Sequence, residues 1–207
     1  DPRWYFFTLY NYLAVRNYKT RKSKISSSAV ISNKALISKL NVIIGAGTII
    51  EDGAIILNDV KIGKNCIIRA GAVIGSNGFE YKRTSKGILS VKEDGQLELK
   101  DNVEIGVNSV IVKGYSYRST VIGKNTKIDT LVNISHSVKI GNEVFIGSSS
   151  AISGSVTILD KVWIGPGSNI SNNITIGKNS EVSIGSTVIK SVPSNSRVFG
   201  NPARIIK

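Results

Sequence analysis

The chain has 207 residues, 41% of them apolar, which is enough for one domain with a sizeable core, and it carries 31 Ile against 10 Leu, 20 Gly, one Cys, one His and no Met. One cysteine excludes an internal disulfide and a cysteine-built zinc site, and one histidine excludes a multi-histidine centre, so no metal is expected. The formal charge of +13 suits anionic partners, but beyond the first 24 residues the basic side chains are scattered without interleaved aromatics, so nucleic acid is not the expected one.

Residues 1–22 read as an N-terminal amphipathic helix. Trp4, Tyr5, Phe6, Phe7, Tyr10, Tyr12 and Tyr18 are seven of the chain's fourteen aromatics, and a basic run follows, ending at Lys24. The main expectation is that this segment packs on the rest of the chain or on a neighbouring subunit; the alternative is a peripheral membrane-surface anchor. No apolar run of about 18 residues exists to span a membrane, and no secretory signal is visible. The missing initiator Met reads as a processed chain or one cut from something longer.

From Ile25 a repeat takes over. Aliphatic residues recur every six positions through Ile25, Ile31 and Ile37, slip by one, and continue through Ile44, Ile50, Ile56, Ile62, Ile68 and Ile74. A short run holds Leu99, Ile105 and Ile111, and a long one runs unbroken from Ile122 through Ile128, Ile134, Ile140 and onward to Val188. Four residues after each comes a second small or branched residue, as at Thr126, Val132, Val138 and Ser150. Period six fits neither a helix nor plain strand alternation. It fits a short strand followed by a corner, three sides to an 18-residue coil, with coils stacked about 4.8 Å apart. Over residues 23–192 the Ile excess is therefore an inward ladder, and Cys66, on an inward small position, reads as core filler rather than a reactive thiol.

Two interruptions stand out. Residues 75–96 form a long excursion, and a smaller insertion covers residues 114–120; long loops in a compact solenoid are usually binding or interface elements. A C-terminal tail, residues 193–207, contains Gly200-Asn201-Pro202-Ala203-Arg204.

The repeat resembles that of the hexapeptide-repeat acyltransferases, which implies an all-β, left-handed parallel β-helix with a short N-terminal helix, assembled as a homotrimer. Gly75-Ser76-Asn77-Gly78-Phe79, Gly95-Gln96-Leu97-Glu98-Leu99, Val103-Glu104-Ile105-Gly106, Thr120-Val121-Ile122-Gly123 and Ile134-Ser135-His136-Ser137-Val138 are similar to the UDP-3-O-acylglucosamine N-acyltransferase family of the lipid A pathway. Asp1-Pro2-Arg3 followed by aromatics resembles that family's link between an N-terminal uridine-binding domain and its helix. The tail instead resembles acetyl-CoA-dependent sugar acetyltransferases.

The resemblance assigns the chemistry to His136 as the base that takes the proton of an attacking sugar amine, and to Gly154, 18 residues later, as the backbone N–H donor to the thioester oxyanion. It places Lys190 and Arg204 at a CoA-binding edge. It also gives Asn77, Phe79 and Tyr81 to the acceptor pocket, with a neighbour's 75–96 loop closing over it. Phe145 and Trp163 fall on one side of adjacent coils, where subunit contact is favoured over an acyl-donor groove. The expected reaction is acetyl transfer from acetyl-CoA to a nucleotide-linked amino sugar in the bacterial cytoplasm. The first alternative is lipid A N-acyl transfer from an acyl-carrier protein; the second is a non-catalytic scaffold. A carbonic anhydrase of similar fold is excluded by the single histidine.

Overall fold

The computed structural model describes residues 1–206. Helix α1, Pro2–Arg16, opens with Asp1 as cap: its carboxylate accepts the Arg3 and Trp4 N–H groups, and Pro2 sits in the first turn, where no N–H is needed. The helix ends at Arg16, short of the boundary expected at residue 22, and the strap that follows is tied down by a bridge between Lys22 and Leu40. Nor is α1 amphipathic. Aromatics at four consecutive positions, 4 to 7, surround a helix that turns 100° per residue. Tyr10 is buried, whereas Tyr5, Phe6, Leu9, Tyr12 and Val15 are exposed. Among the described residues no helix is long and apolar enough to cross a membrane.

The rest of the chain coils into three parallel faces. The first carries eight strands, from Lys24–Ile25 to Thr175–Ile176; the second carries ten, from Val30–Ile31 to Ala203–Ile206; the third carries eight, from Leu36–Ile37 to Thr187–Val188. Each coil rests on the one before in fixed register, so that Ile122, Ile140, Ile158 and Ile176 form one column inside the first face. All four are buried. The small polar residues of the repeat are inside as well, and each has a use. Thr126 donates its hydroxyl to the Gly141 carbonyl and accepts the Val144 N–H, which ties a corner of one coil to the next. Cys66 is fully buried, its thiol donating to the Lys100 carbonyl, and burial pushes its pKa up.

The irregularities fall where the ladder breaks. Lys24 pairs with Ile43, which absorbs the one-residue slip. The excursion leaves after Ser76 and returns at Leu97 with Glu98 set opposite Lys61, so the coil register is kept across it. Within the excursion, Tyr81–Thr84 and Gly87–Ser90 form an antiparallel hairpin. The coil also continues past residue 192. Val198 lies over Val182, and Arg197–Gly200 then pairs antiparallel with Ala203–Ile206, so the segment expected as a tail begins as the last side of the solenoid.

Helix α1 packs on the irregular segments. Asn11 donates to the Ser90 carbonyl and accepts the Lys92 N–H, and Lys86 lies 3.7 Å from the centre of the Trp4 ring. Tyr10 donates to Asp94 and accepts the Ser116 N–H at 2.8 Å, which joins α1, the excursion and the second insertion at one point. Burial first, and the Asp94 carboxylate second, hold the Tyr10 phenol far above its ordinary range.

Candidate active site

His136 occupies the corner between the third and first faces. Ile134 and Val138, both buried, anchor the chain on either side of it. Ser137 turns the corner with φ +59°, and its N–H donates to the Thr120 hydroxyl at 2.9 Å. Two inward anchors so close together leave the residue between them pointing out of the coil.

Gly154 stands one coil above, fixed there by the pairing of Ala151 with Asn133 and by the Ser155 N–H, which donates to the His136 carbonyl. A Cβ at position 154 would lie 2.5 Å from Nε2 of His136 and nearer still to Cε1. Glycine is therefore needed for space: the imidazole fills the volume a side chain would take. Each of these two residues has a polar group without a partner. Nδ1 of His136 is buried with none, and the Gly154 N–H donates to no acceptor among the described residues.

The remaining walls come from the irregular segments. Tyr115, in the second insertion, sets its ring edge-on to the imidazole with centroids 4.8 Å apart. Gly78 and Glu80 come from the excursion: a Cβ at 78 would sit 3.8 Å from Cδ2, and Oε2 of Glu80 is 3.7 Å from Nε2. Glu80 pairs in turn with Lys82. Glu93 accepts the Gly78 N–H at 2.5 Å, keeps its second oxygen buried and unpartnered, and is pushed up in pKa chiefly by burial. Lys113, one coil below His136 by the pairing of Val110 with Asn133, is buried against Asp59 at 3.4 Å. Burial lowers the His136 pKa, with Glu80 opposing and Lys82 adding to the fall. The shift favours the neutral imidazole, the form a base must have.

The residues singled out from sequence divide. His136 and Gly154 are brought into contact. Asn77, Phe79 and Tyr81 are exposed, Phe79 almost fully, with the Phe79 and Tyr81 rings edge-to-face 4.9 Å apart. The residues that reach His136 from this chain's own excursion are the alternate ones, 78 and 80. Lys190 lies on the His136 corner three coils up, through the pairings of residues 133, 151, 169 and 187, roughly 14 Å away at strand spacing. Arg204 does not. It sits at the end of the second face and donates to its neighbour Ala203's carbonyl. Phe145 and Trp163 pair on the outside of that second face, rings 6.0 Å apart and about half exposed, away from the His136 corner. Sequence reasoning missed Glu80, Glu93 and Tyr115. The one available signal was the presence of charged and aromatic residues inside the two interruptions.

Residues 41–76 and 119–154 match the family model "Bacterial transferase hexapeptide (six repeats)", the second block holding both His136 and Gly154. The chain is 37% identical over 151 residues to a UDP-3-O-acylglucosamine N-acyltransferase of Methylorubrum populi, covering 73% of this chain and 43% of that protein. A protein of the same name from Methylobacterium nodulans is 36% identical over 146 residues, 70% of this chain and 41% of its own length. The chain thus spans less than half the length of these curated relatives. Among solved structures, the UDP-N-acetylglucosamine acyltransferase of Francisella novicida superposes with a TM-score of 0.75 at 25% identity, over 89% of this chain and 68% of that one. LpxA from Acinetobacter baumannii gives 0.73 at 26%, over 88% and 73%. The coil is the left-handed parallel β-helix that the family resemblance implied.

Proposed function

We propose, on the premise that the chain belongs to the bacterial hexapeptide-repeat transferases, that it transfers an acyl group from a thioester to the amine of a nucleotide-linked amino sugar. The observation that carries this reading is the contact of His136 with Gly154: the imidazole fills the space a Cβ at 154 would take, 2.5 Å from Nε2, and the Gly154 N–H donates to no acceptor among the described residues. In this reading the imidazole is the proton acceptor and the Gly154 N–H the oxyanion donor.

The amine nitrogen attacks the thioester carbonyl carbon while His136 takes the amine proton. The carbonyl oxygen, now negative, lies against the Gly154 N–H. Collapse of the tetrahedral adduct breaks the C–S bond, the imidazolium returns its proton to the departing thiolate, and an amide and a free thiol leave. No covalent acyl-enzyme forms: Cys66 is buried in the core and far from ionising.

The relatives, named as UDP-3-O-acylglucosamine N-acyltransferases, support the lipid A type of transfer over the acetylation by acetyl-CoA expected from the tail, and a carrier-protein donor is part of that reading. Lys190, on the His136 corner, suits the phosphate end of either donor's pantetheine arm. A homotrimer in the bacterial cytoplasm belongs to the same proposal, with Phe145 and Trp163 as subunit contacts.

The test is an assay of UDP-linked amino sugars with 3-hydroxyacyl-carrier protein and, in parallel, acetyl-CoA, using the wild type and His136→Ala. Transfer from the carrier protein is expected, with a loss of about 10²–10⁴-fold in the variant. A variant keeping more than about a tenth of the rate, or no transfer from either donor, would sink the proposal.

A further inference from the structure

We infer that the outer face of α1, together with the basic strap that follows it, is a docking surface for an anionic phospholipid membrane. This does not rest on the acyl transfer proposed above.

Helix α1 is apolar on two sides, and the protein covers only one of them. Phe7, Tyr10 and Asn11 turn inward: the Lys82 ammonium lies 5.1 Å from the centre of the Phe7 ring, Tyr10 joins Asp94 to Ser116, and Asn11 holds Ser90 and Lys92. On the opposite side Tyr5, Leu9, Tyr12 and Arg16 follow at spacings of four, three and four, which lines them up along the helix. Phe6 and Val15 flank that line. The five apolar side chains of this face are between 57% and 65% exposed, so the coil does not cover them. Helices apolar all round are found buried, in a core or in lipid.

Charge decides what the cover is. Residues 2–50 hold eight Lys and Arg and no Asp or Glu, whereas residues 51–207 hold 19 against 13. Arg16, Lys19, Arg21, Lys22 and Lys24 come in one run after the exposed face. None of these five pairs with a carboxylate among the described residues. The last four line a cavity of about 480 Å³ between the end of α1 and the first face. The two carboxylates in it are already engaged, Asp59 by Lys113 and Tyr18 and Asp94 by Tyr10. What remains is room for a phosphate beside cations without partners.

An aromatic and aliphatic helix face, too short to span, with cations and no acids beside it, suits a helix lying in the membrane interface. Tyr5 and Tyr12 match headgroup depth, Phe6 and Leu9 the upper acyl chains, and the strap's cations the phosphates. A second copy of the chain fits worse. Face to face, Arg16 and the strap would meet the same charges on the other copy.

Co-sedimentation with vesicles of phosphatidylcholine, either alone or with about a third phosphatidylglycerol, tests this without substrate. The anionic vesicles should bind the protein at least about tenfold more tightly, and salt should weaken that binding. Leu9→Asp, on the uncovered face, should cut binding about tenfold with the unfolding midpoint little changed. Lys19→Ala with Lys22→Ala should weaken binding and flatten its salt dependence. Lys139→Ala with Lys178→Ala, the same loss of charge on the upper coils, should leave binding within about twofold. An environment-sensitive dye at Leu9→Cys should shift to the blue on anionic vesicles, the other thiol, Cys66, being buried. The same dye at Lys139→Cys should not. Equal binding to both kinds of vesicle, binding indifferent to Leu9→Asp, or no binding would overturn the inference. So would a wild type that ignores vesicles and self-associates until Leu9→Asp separates it, which would give the face to a second copy. Vesicle binding without transfer from any donor would keep this inference and remove the proposed function.

Discussion

The coils from Ile122 to Val188 and the excursion at residues 75–96 place their side chains by opposite means. In the coils, position follows from counting: every sixth residue points inward, every eighteenth lies one storey higher, and Ile134, Ile152, Ile170 and Val188 stack accordingly. In the excursion, position follows from what the loop happens to fold against: Gly78 and Glu80 on His136, Asn11 on Ser90, Tyr10 on Asp94. The candidate site takes one wall from each. The repeat fixes His136 against Gly154 with little tolerance, and the loops supply what surrounds them.

The largest effect expected from breaking the regular side alone comes from Ile158→Ala. Ile158 is 1% exposed and sits in the column between Ile140 and Ile176, so truncation leaves a cavity that neighbours fixed by register cannot fill. A loss of about 2–5 kcal/mol is expected in denaturant unfolding. Activity per folded molecule should hardly change, because Ile158 touches neither His136 nor the excursion.

Gly154→Ala inverts that outcome. Its backbone is not in the left-handed region, so alanine is tolerated conformationally, but the new Cβ must displace the His136 ring. Activity should fall about 10²–10³-fold, the scale of losing an oxyanion donor, while the unfolding midpoint moves by less than about 1 kcal/mol. A large stability loss instead would make Gly154 a corner glycine and no more.

These two positions also mark how much was readable beforehand. The ladder, the storey spacing and the contact of residue 136 with residue 154 follow from the six- and eighteen-residue periods, which are properties of the sequence itself. The contact with Glu80 does not, because the excursion has no period that fixes its path. Even the parity was hidden: residues 77, 79 and 81 point outward because 78 and 80 point in, and nothing local decides which set faces the coil. Helix α1 was misjudged for a related reason. Its aromatics drew the boundary out to residue 22, whereas the backbone ends the helix at Arg16 and Tyr18 turns to Asp59 in the strap that follows.

On the irregular side, Tyr10→Phe removes one hydroxyl that joins three segments. The Ser116 N–H and the Asp94 carboxylate each lose a partner, at about 1–3 kcal/mol for groups of this kind. That loss should appear locally, as faster hydrogen exchange and proteolysis in residues 80–95 and 114–118, with the global unfolding midpoint little changed. A severalfold fall in kcat should accompany it, since Glu80 rides on the loosened segment. A shift of the global midpoint equal to the local loss would mean that coil and excursion unfold as one unit, and the contrast between them would not hold.

The smallest effect separates two cations that the sequence could not rank. Lys190 and Arg204 both lie near the C-terminal end and both are exposed, but only Lys190 shares the His136 corner, three storeys up. Under the proposed function, a thioester at His136 and Gly154 would extend its pantetheine arm along that corner, past Asn172, toward Lys190. Arg204 lies on a different face. Lys190→Ala should therefore raise KM for the donor about three- to tenfold, with kcat unchanged and the effect fading at high salt, as expected for an exposed phosphate contact. Arg204→Ala should leave KM within about twofold. Equal losses from both would mean that the donor approaches from the end of the coil rather than along its corner, and would sever the link between the repeat's geometry and the direction in which substrate enters.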